Sequence, residues 1–188
     1  MGEKEKQKNV LKTIFLILNA VKIMFEHFEH KADIGIRGKG HTLGEAFEEC
    51  ALALTEVLAD SSRIQPKKSH VISLEATDNG ALLVSFLNEL LFLKDSKKMV
   101  YSKFRVRLGK ENKVNDQAKQ GFAGVAKPGV LQQKGNVREV VTLKATLFGE
   151  KINPNKHTLK TDAKAATYSE LFAGEKNKEF IAQCVIDV

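Results

Sequence analysis

The sequence predicts an α+β fold, a two-layer sandwich in which a mostly antiparallel sheet carries two helices packed on one face. Three observations lead there. Apolar residues recur at helical spacing in two stretches, through Leu43, Ala46, Phe47, Cys50, Leu54, Val57 and Leu58, and again through Leu82, Leu83, Phe86, Leu87, Leu90 and Leu91. Strict alternation marks four others, around Ile34, from Val71 to Ala76, from Phe104 to Leu108 and from Val141 to Leu147. Both helical stripes are one-sided, which suits helices lying on a sheet better than a helix bundle. With 188 residues, 43% of them hydrophobic, the chain suffices for one domain with a real core and is too short for two generous ones.

The formal net charge of +7 is unevenly placed. Residues 1–24 carry five Lys against two Glu, and residues 107–139 carry seven Lys or Arg against three acids, so these two stretches hold the whole excess. Residues 1–24 read as a basic and apolar arm, and 25–188 as a single domain with a mobile basic insertion at about 109–137, where periodicity is lost. Such placement does not support a basic groove built into the core. The arm's apolar run, from Thr13 to Phe25, is interrupted by Asn19 and Lys22. It is too short and too broken to span a bilayer, and no small-residue cleavage site follows it. Cys50 and Cys184 sit inside apolar patterns with no Cys cluster around them, which excludes a disulfide scaffold and a zinc ribbon. A reducing compartment, cytoplasmic or nuclear, fits that usage.

Phe25 to His30 is a tandem triplet whose histidines are read as surface residues. Asp33 then enters the first alternating strand. Thr42 and Glu45 form a capping box at the start of the first helix, and Asp78 caps the second, with Ser85, Asn88 and Glu89 expected outside its stripe. Lys103, Arg105 and Arg107 line one face of the strand that begins near Val100, a pattern ordinary solvation explains. After the insertion a strand ends at Gly149 and Glu150, His157 falls in a polar loop, and Lys164 to Tyr168 opens another strand. A turn at Gly174 to Lys178 leads to the last one, Phe180 to Val188.

Acids stand at both ends of this series. Asp33 marks a strand entrance, where it caps a turn or awaits a cation or partner group. Asp187 lies beside the α-carboxylate of Val188. Hard cations want clustered oxygens, and Asp187 with that carboxylate supplies two anionic groups that a further acid such as Asp33 completes. Like charges so crowded call for a bound metal or a partner's Lys or Arg.

In order, Asp33-Ile34-Gly35-Ile36, the capped helix, Leu87-Asn88-Glu89-Leu90-Leu91, Gly149-Glu150, Lys164-Ala165-Ala166-Thr167-Tyr168 and Val185-Ile186-Asp187-Val188 resemble the archease family. No single motif is specific, but six in sequence from residue 27 to the last residue are. Lys31 stands where the family often has Thr, and Ser169 where many members have His. The resemblance implies a protein that is not itself an enzyme and has no catalytic residue. It implies instead an activating partner of the RtcB-type RNA ligase in tRNA splicing, promoting guanylylation and multiple turnover, with RNA met indirectly through the ligase and no membrane. It further implies a divalent metal ion, calcium, held by Asp33, Asp187 and Val188, with Asp33, Lys164, Asp187 and His30 serving ligase activation.

Rival classes remain in view. A metal-dependent hydrolase would need more ligands and a general base, for which only His30 and His157 offer themselves. A free RNA-binding module would need aromatic stacking positions among its basic residues, whereas the aromatic residues here fall mostly on apolar faces. The alternative closest to the resemblance is a chaperone-like modulator of other RNA-modifying enzymes, such as a tRNA methyltransferase.

Overall fold

The computed structural model of the chain describes residues 25–114 and 137–188. The elements run β1 (Phe25–His30), β2 (Asp33–Gly40), α1 (Leu43–Leu58), β3 (Lys68–Ala76), α2 (Asn79–Lys97), β4 (Met99–Val114), β5 (Val137–Lys151), β6 (Ala165–Ala166), β7 (Phe172–Lys176) and β8 (Glu179–Asp187). The class is the one the sequence predicts, two helices with antiparallel strands. The strands divide into two sheets. One has the order β1-β2-β8-β6 with β7 also on β8, and the other has the order β3-β5-β4.

Helix α1 begins with a variant of the expected capping box, in which the Glu45 carboxylate reaches one residue past the Thr42 cap. The Thr42 hydroxyl accepts from the Glu45 amide at 3.1 Å, and the Glu45 carboxylate accepts from the His41 amide at 2.8 Å. One side of the helix lies directly on β2, because a β-carbon at Gly38 would sit on the Cys50 amide and the Ala46 carbonyl. Its opposite side closes the free edge of β4: Glu48 accepts from the Val106 amide at 2.7 Å, and Thr55 donates to the Tyr101 carbonyl at 2.9 Å. One helix therefore seals the core of one sheet and the edge of the other.

Helix α2 starts at its Asp78 cap, which accepts from the Ala81 amide at 2.9 Å. Its Phe86 ring stacks on Phe47 of α1 with centroids 6.3 Å apart. The expected stripe is buried, but so are Val84, Leu93 and Lys94, since strands of both sheets lie against this helix. Asn88, expected outside, is half-buried. Its amide donates to the Ala166 carbonyl at 3.1 Å and accepts from the Ala166 amide at 2.9 Å, completing the backbone pairing of short β6. Cys50 and Cys184 are both fully buried free thiols, and burial pushes Cys184 up to about 12.

Three boundaries differ from expectation. Phe25–His30 is an edge strand paired with β2, and His27 lies 2.9 Å from the Ala53 carbonyl of α1. The turn expected at Gly174 to Lys178 is tighter, because β7 runs to Lys176 and only Asn177 and Lys178 form the loop, both at positive φ (54° and 67°), which matches the right-handed twist of the strands they join. Residues 109–114, assigned above to the insertion, continue β4 in register with β5 as far as Val114 opposite Val137. The rest of the insertion, 115–136, and the arm 1–24 lie outside the described residues.

Candidate functional site

The site is built by strand register. Strands β1 and β2 form a hairpin whose two-residue turn, Lys31-Ala32, sets His30 opposite Asp33. Strand β2 pairs with β8 at Ile34 opposite Ile186, so the next step sets Asp33 opposite Asp187. Strand β6 pairs with the far side of β8 at Ala165 opposite Asp187. His30, Asp33 and Asp187 thus form one row across three strands, on the face turned away from α1, with β-carbons of directly opposed residues roughly 4.5–5.5 Å apart. Lys164 stands one step beyond. Its amide donates to the Asp187 carbonyl at 2.8 Å, and its ammonium donates to the main-chain oxygen of Val188 at 2.8 Å.

Among the described residues neither Asp33 nor Asp187 has a side-chain hydrogen bond or ion-pair partner, and the buried Nδ1 of half-buried His30 has none either. Two half-buried carboxylates facing each other, with no cationic side chain of the described residues bonded to either, leave charge that a ligand from outside the chain would neutralise. Beside them, the Phe28 ring covers Gly35, where any β-carbon would strike it, and Arg37 lies over that ring at 5.1 Å. Arg37 is held by Gln183 at 2.7 Å and Glu26 at 3.0 Å, and Glu26, hydrogen-bonded also by Lys39, is lowered below its ordinary carboxyl value.

Residues 25–188 match the model of the Archease protein family (MTH1598/TM1083). The chain belongs to the archease family. It is 35% identical to a protein archease of Sulfurisphaera tokodaii over 87% of this chain and 98% of that one. It is 37% identical to a protein archease of Thermococcus kodakarensis over 78% and 85%. The fold is like that of the solution structure of Methanobacterium thermoautotrophicum protein 1598, with a TM-score of 0.61 at 24% identity, over 87% of this chain and 98% of that one.

The archease motifs read from the sequence therefore occupy defined places. Asp33, Asp187, His30, Lys164 and Val188 come together at one end of the five-stranded sheet. Gly149-Glu150 does not join them. Gly149 is required because a β-carbon would sit on the Val100 carbonyl. Glu150 is buried, and the Lys156 ammonium, the Gln65 amide at 2.8 Å, Lys67 at 3.3 Å and His157 at 3.2 Å draw its carboxyl down to about 2. His157, read as a polar loop residue, is 3% exposed and belongs to this internal network. Burial in a loop leaves no periodic signal in sequence, so neither role is visible there.

A divalent ion implied by the archease resemblance meets a partial set of ligands. Among the described residues no three His, Cys, Asp or Glu side chains gather into a metal-binding group. Asp33, Asp187 and the main-chain oxygen of Val188 are oxygen donors of the kind calcium prefers, and water would complete the shell. The Val188 oxygen already accepts from Lys164 and keeps a second lone pair. Among the described residues no helix is long and apolar enough to cross a membrane.

Proposed function

We propose that this archease activates an RtcB-type RNA ligase in tRNA splicing without doing chemistry itself. The observation that carries the reading is the partnerless pair Asp33 and Asp187, opposed across β2 and β8 with Lys164 one step away. A small accessory protein speeds nucleotidyl transfer on another enzyme by favouring the competent arrangement of that enzyme's nucleophile and nucleotide. A rim offering two carboxylates and an ammonium suits that task, since each can pair with a ligase charge or a phosphate. Asp33, Asp187 and Val188 would hold a divalent cation, calcium, whose positive charge would bind the anionic rim to anionic groups of the ligase. Lys164 orients the terminal strand through the Val188 oxygen and exposes its ammonium to the partner. His30 keeps its buried, partnerless Nδ1 opposite Asp33, where it would help orient that carboxylate. A reducing compartment, cytoplasmic or nuclear, would be its place.

The deciding assay adds purified chain to the cognate ligase with GTP and divalent metal and follows covalent guanylate over repeated turnovers. Asp33→Ala and Lys164→Ala are expected to fold, with stability within about 0.5 kcal/mol of wild type as for rim substitutions, and to lose the stimulation. Full stimulation by folded Asp33→Ala would end the proposal. Cation binding is read separately as a calcium-dependent rise in melting temperature, worth about 2.7 kcal/mol at a hundredfold excess over Kd, absent in Asp187→Asn.

A further inference from the structure

The face of the β3-β5-β4 sheet turned away from the helices carries a second feature. Register places Lys103 opposite Phe148, Arg105 opposite Thr146 and Arg107 opposite Lys144, while on the other side of β5 Ser73 lies opposite Lys144. Lys103, Arg105, Arg107 and Lys144 are all exposed. Among the described residues Lys103, Arg107 and Lys144 have no carboxylate within ion-pair distance, and Arg105 has in its field the half-buried Glu48, which is itself bonded to the Val106 amide. Two acids border the same face, Glu75, which is paired with Lys113, and Glu111, two residues beyond Gly109 on β4. Like charges set directly opposite on a sheet are destabilising, so this grouping costs the fold something and gives it no internal pairing in return.

We infer that this sheet face docks the sugar-phosphate backbone of single-stranded RNA. Along β4 the cations recur every second residue, roughly 7 Å apart, close to the spacing of successive phosphates on an extended strand. Beside Gly109, which contributes no side chain, a trough of about 530 Å³ opens, lined by Ser73, Arg107, Thr142 and Lys144 at the cationic end and by Glu75 and Glu111 at the other, so the phosphates lie toward Arg107 and Lys144. Ser73, Thr142 and Thr146 supply hydroxyls that can donate to phosphate or sugar. Half-exposed Phe148, at the Lys103 end, offers a ring on which a base stacks. An acidic protein surface would match the charge but would leave the regular spacing, the hydroxyl rows and the ring without a use. The inference does not rest on the ligase reading, since it concerns a different sheet and requires this chain to touch RNA directly.

The test uses the full chain and a fluorescein-labelled oligouridylate of about 12 nucleotides, followed by anisotropy across a salt series. Each phosphate that the protein no longer neutralises lowers the slope of log affinity against log salt by about 0.7 for single strands. Arg107→Gln with Lys144→Gln is expected to weaken binding roughly tenfold and reduce the slope by about 1.4, while Lys176→Gln on the other sheet changes neither. The double variant should melt no lower than wild type, which separates weaker RNA binding from poorer folding. No RNA binding by wild type, or an unchanged slope in the double variant, overturns the inference. So does polyglutamate binding as tightly as RNA with the same weakening in the variant, which would make the face a protein dock.

Discussion

Glu150 shows how much one buried charge organises. Its carboxyl is held at about 2, against an ordinary 4.5, first by the Lys156 ammonium and then by the Gln65 amide, with Lys67 and His157 adding to them. A carboxyl lowered by folding stabilises fully above its unfolded value and loses that contribution as pH falls through its folded one. Wild type should therefore lose melting temperature between about pH 4.5 and pH 2, and Glu150→Gln should lose less over that window. The gap between them, widest near neutrality, is expected to close toward about pH 2. A constant gap across a pH series of thermal melts would show that the carboxyl is not held by charge. Asn88 acts by hydrogen bonding alone. Asn88→Ala leaves both the amide and the carbonyl of buried Ala166 without partners and should cost about 2 kcal/mol by denaturant unfolding. Because Lys164 directly precedes β6, the same variant should also weaken the proposed ligase stimulation.

Helix α1 and the β1–β2 hairpin show how elements place the site. Strand β2 supplies Asp33 at one end and, at Gly38 and Gly40, the two gaps into which α1 fits. Gly38→Ala would push the helix off the strand, because the new methyl meets backbone that cannot swing aside. The expected loss is about 1–3 kcal/mol, with the helix driven against the β4 edge it seals on its other side. Stability unchanged in chemical denaturation would mean that α1 has room to shift. The edge strand β1 is not legible as a strand in the sequence because its alternation mixes types. Phe25, His27 and Glu29 point one way and Glu26, Phe28 and His30 the other, so neither face is uniformly apolar. By contrast Thr42, Glu45 and the Leu82 to Leu91 stripe are legible, since a cap and a helical stripe depend on residues three or four apart.

Across the whole molecule, β4 and β5 form a ribbon that, past an irregularity between Tyr101 and Lys103, stays in register to Val114 opposite Val137. Replacing residues 115–136 by Asn-Gly would close that pair with a two-residue hairpin turn, and the core should not register the change. Cooperative unfolding with a melting temperature within a few degrees of wild type is expected by calorimetry. A broadened or early transition would show that the core extends into the replaced segment. What the sequence by itself determined is local and periodic: the two capped helices, the alternating strands, the buried cysteines, and an acid at each end of the strand series. The tertiary structure alone decided which residues meet. Register belongs to two strands at once, so only the pairing of Ile34 with Ile186 could set Asp33 opposite Asp187. Only the pairing of β4 with β5 could set Lys144 opposite Arg107 and turn a row of solvated cations into a field.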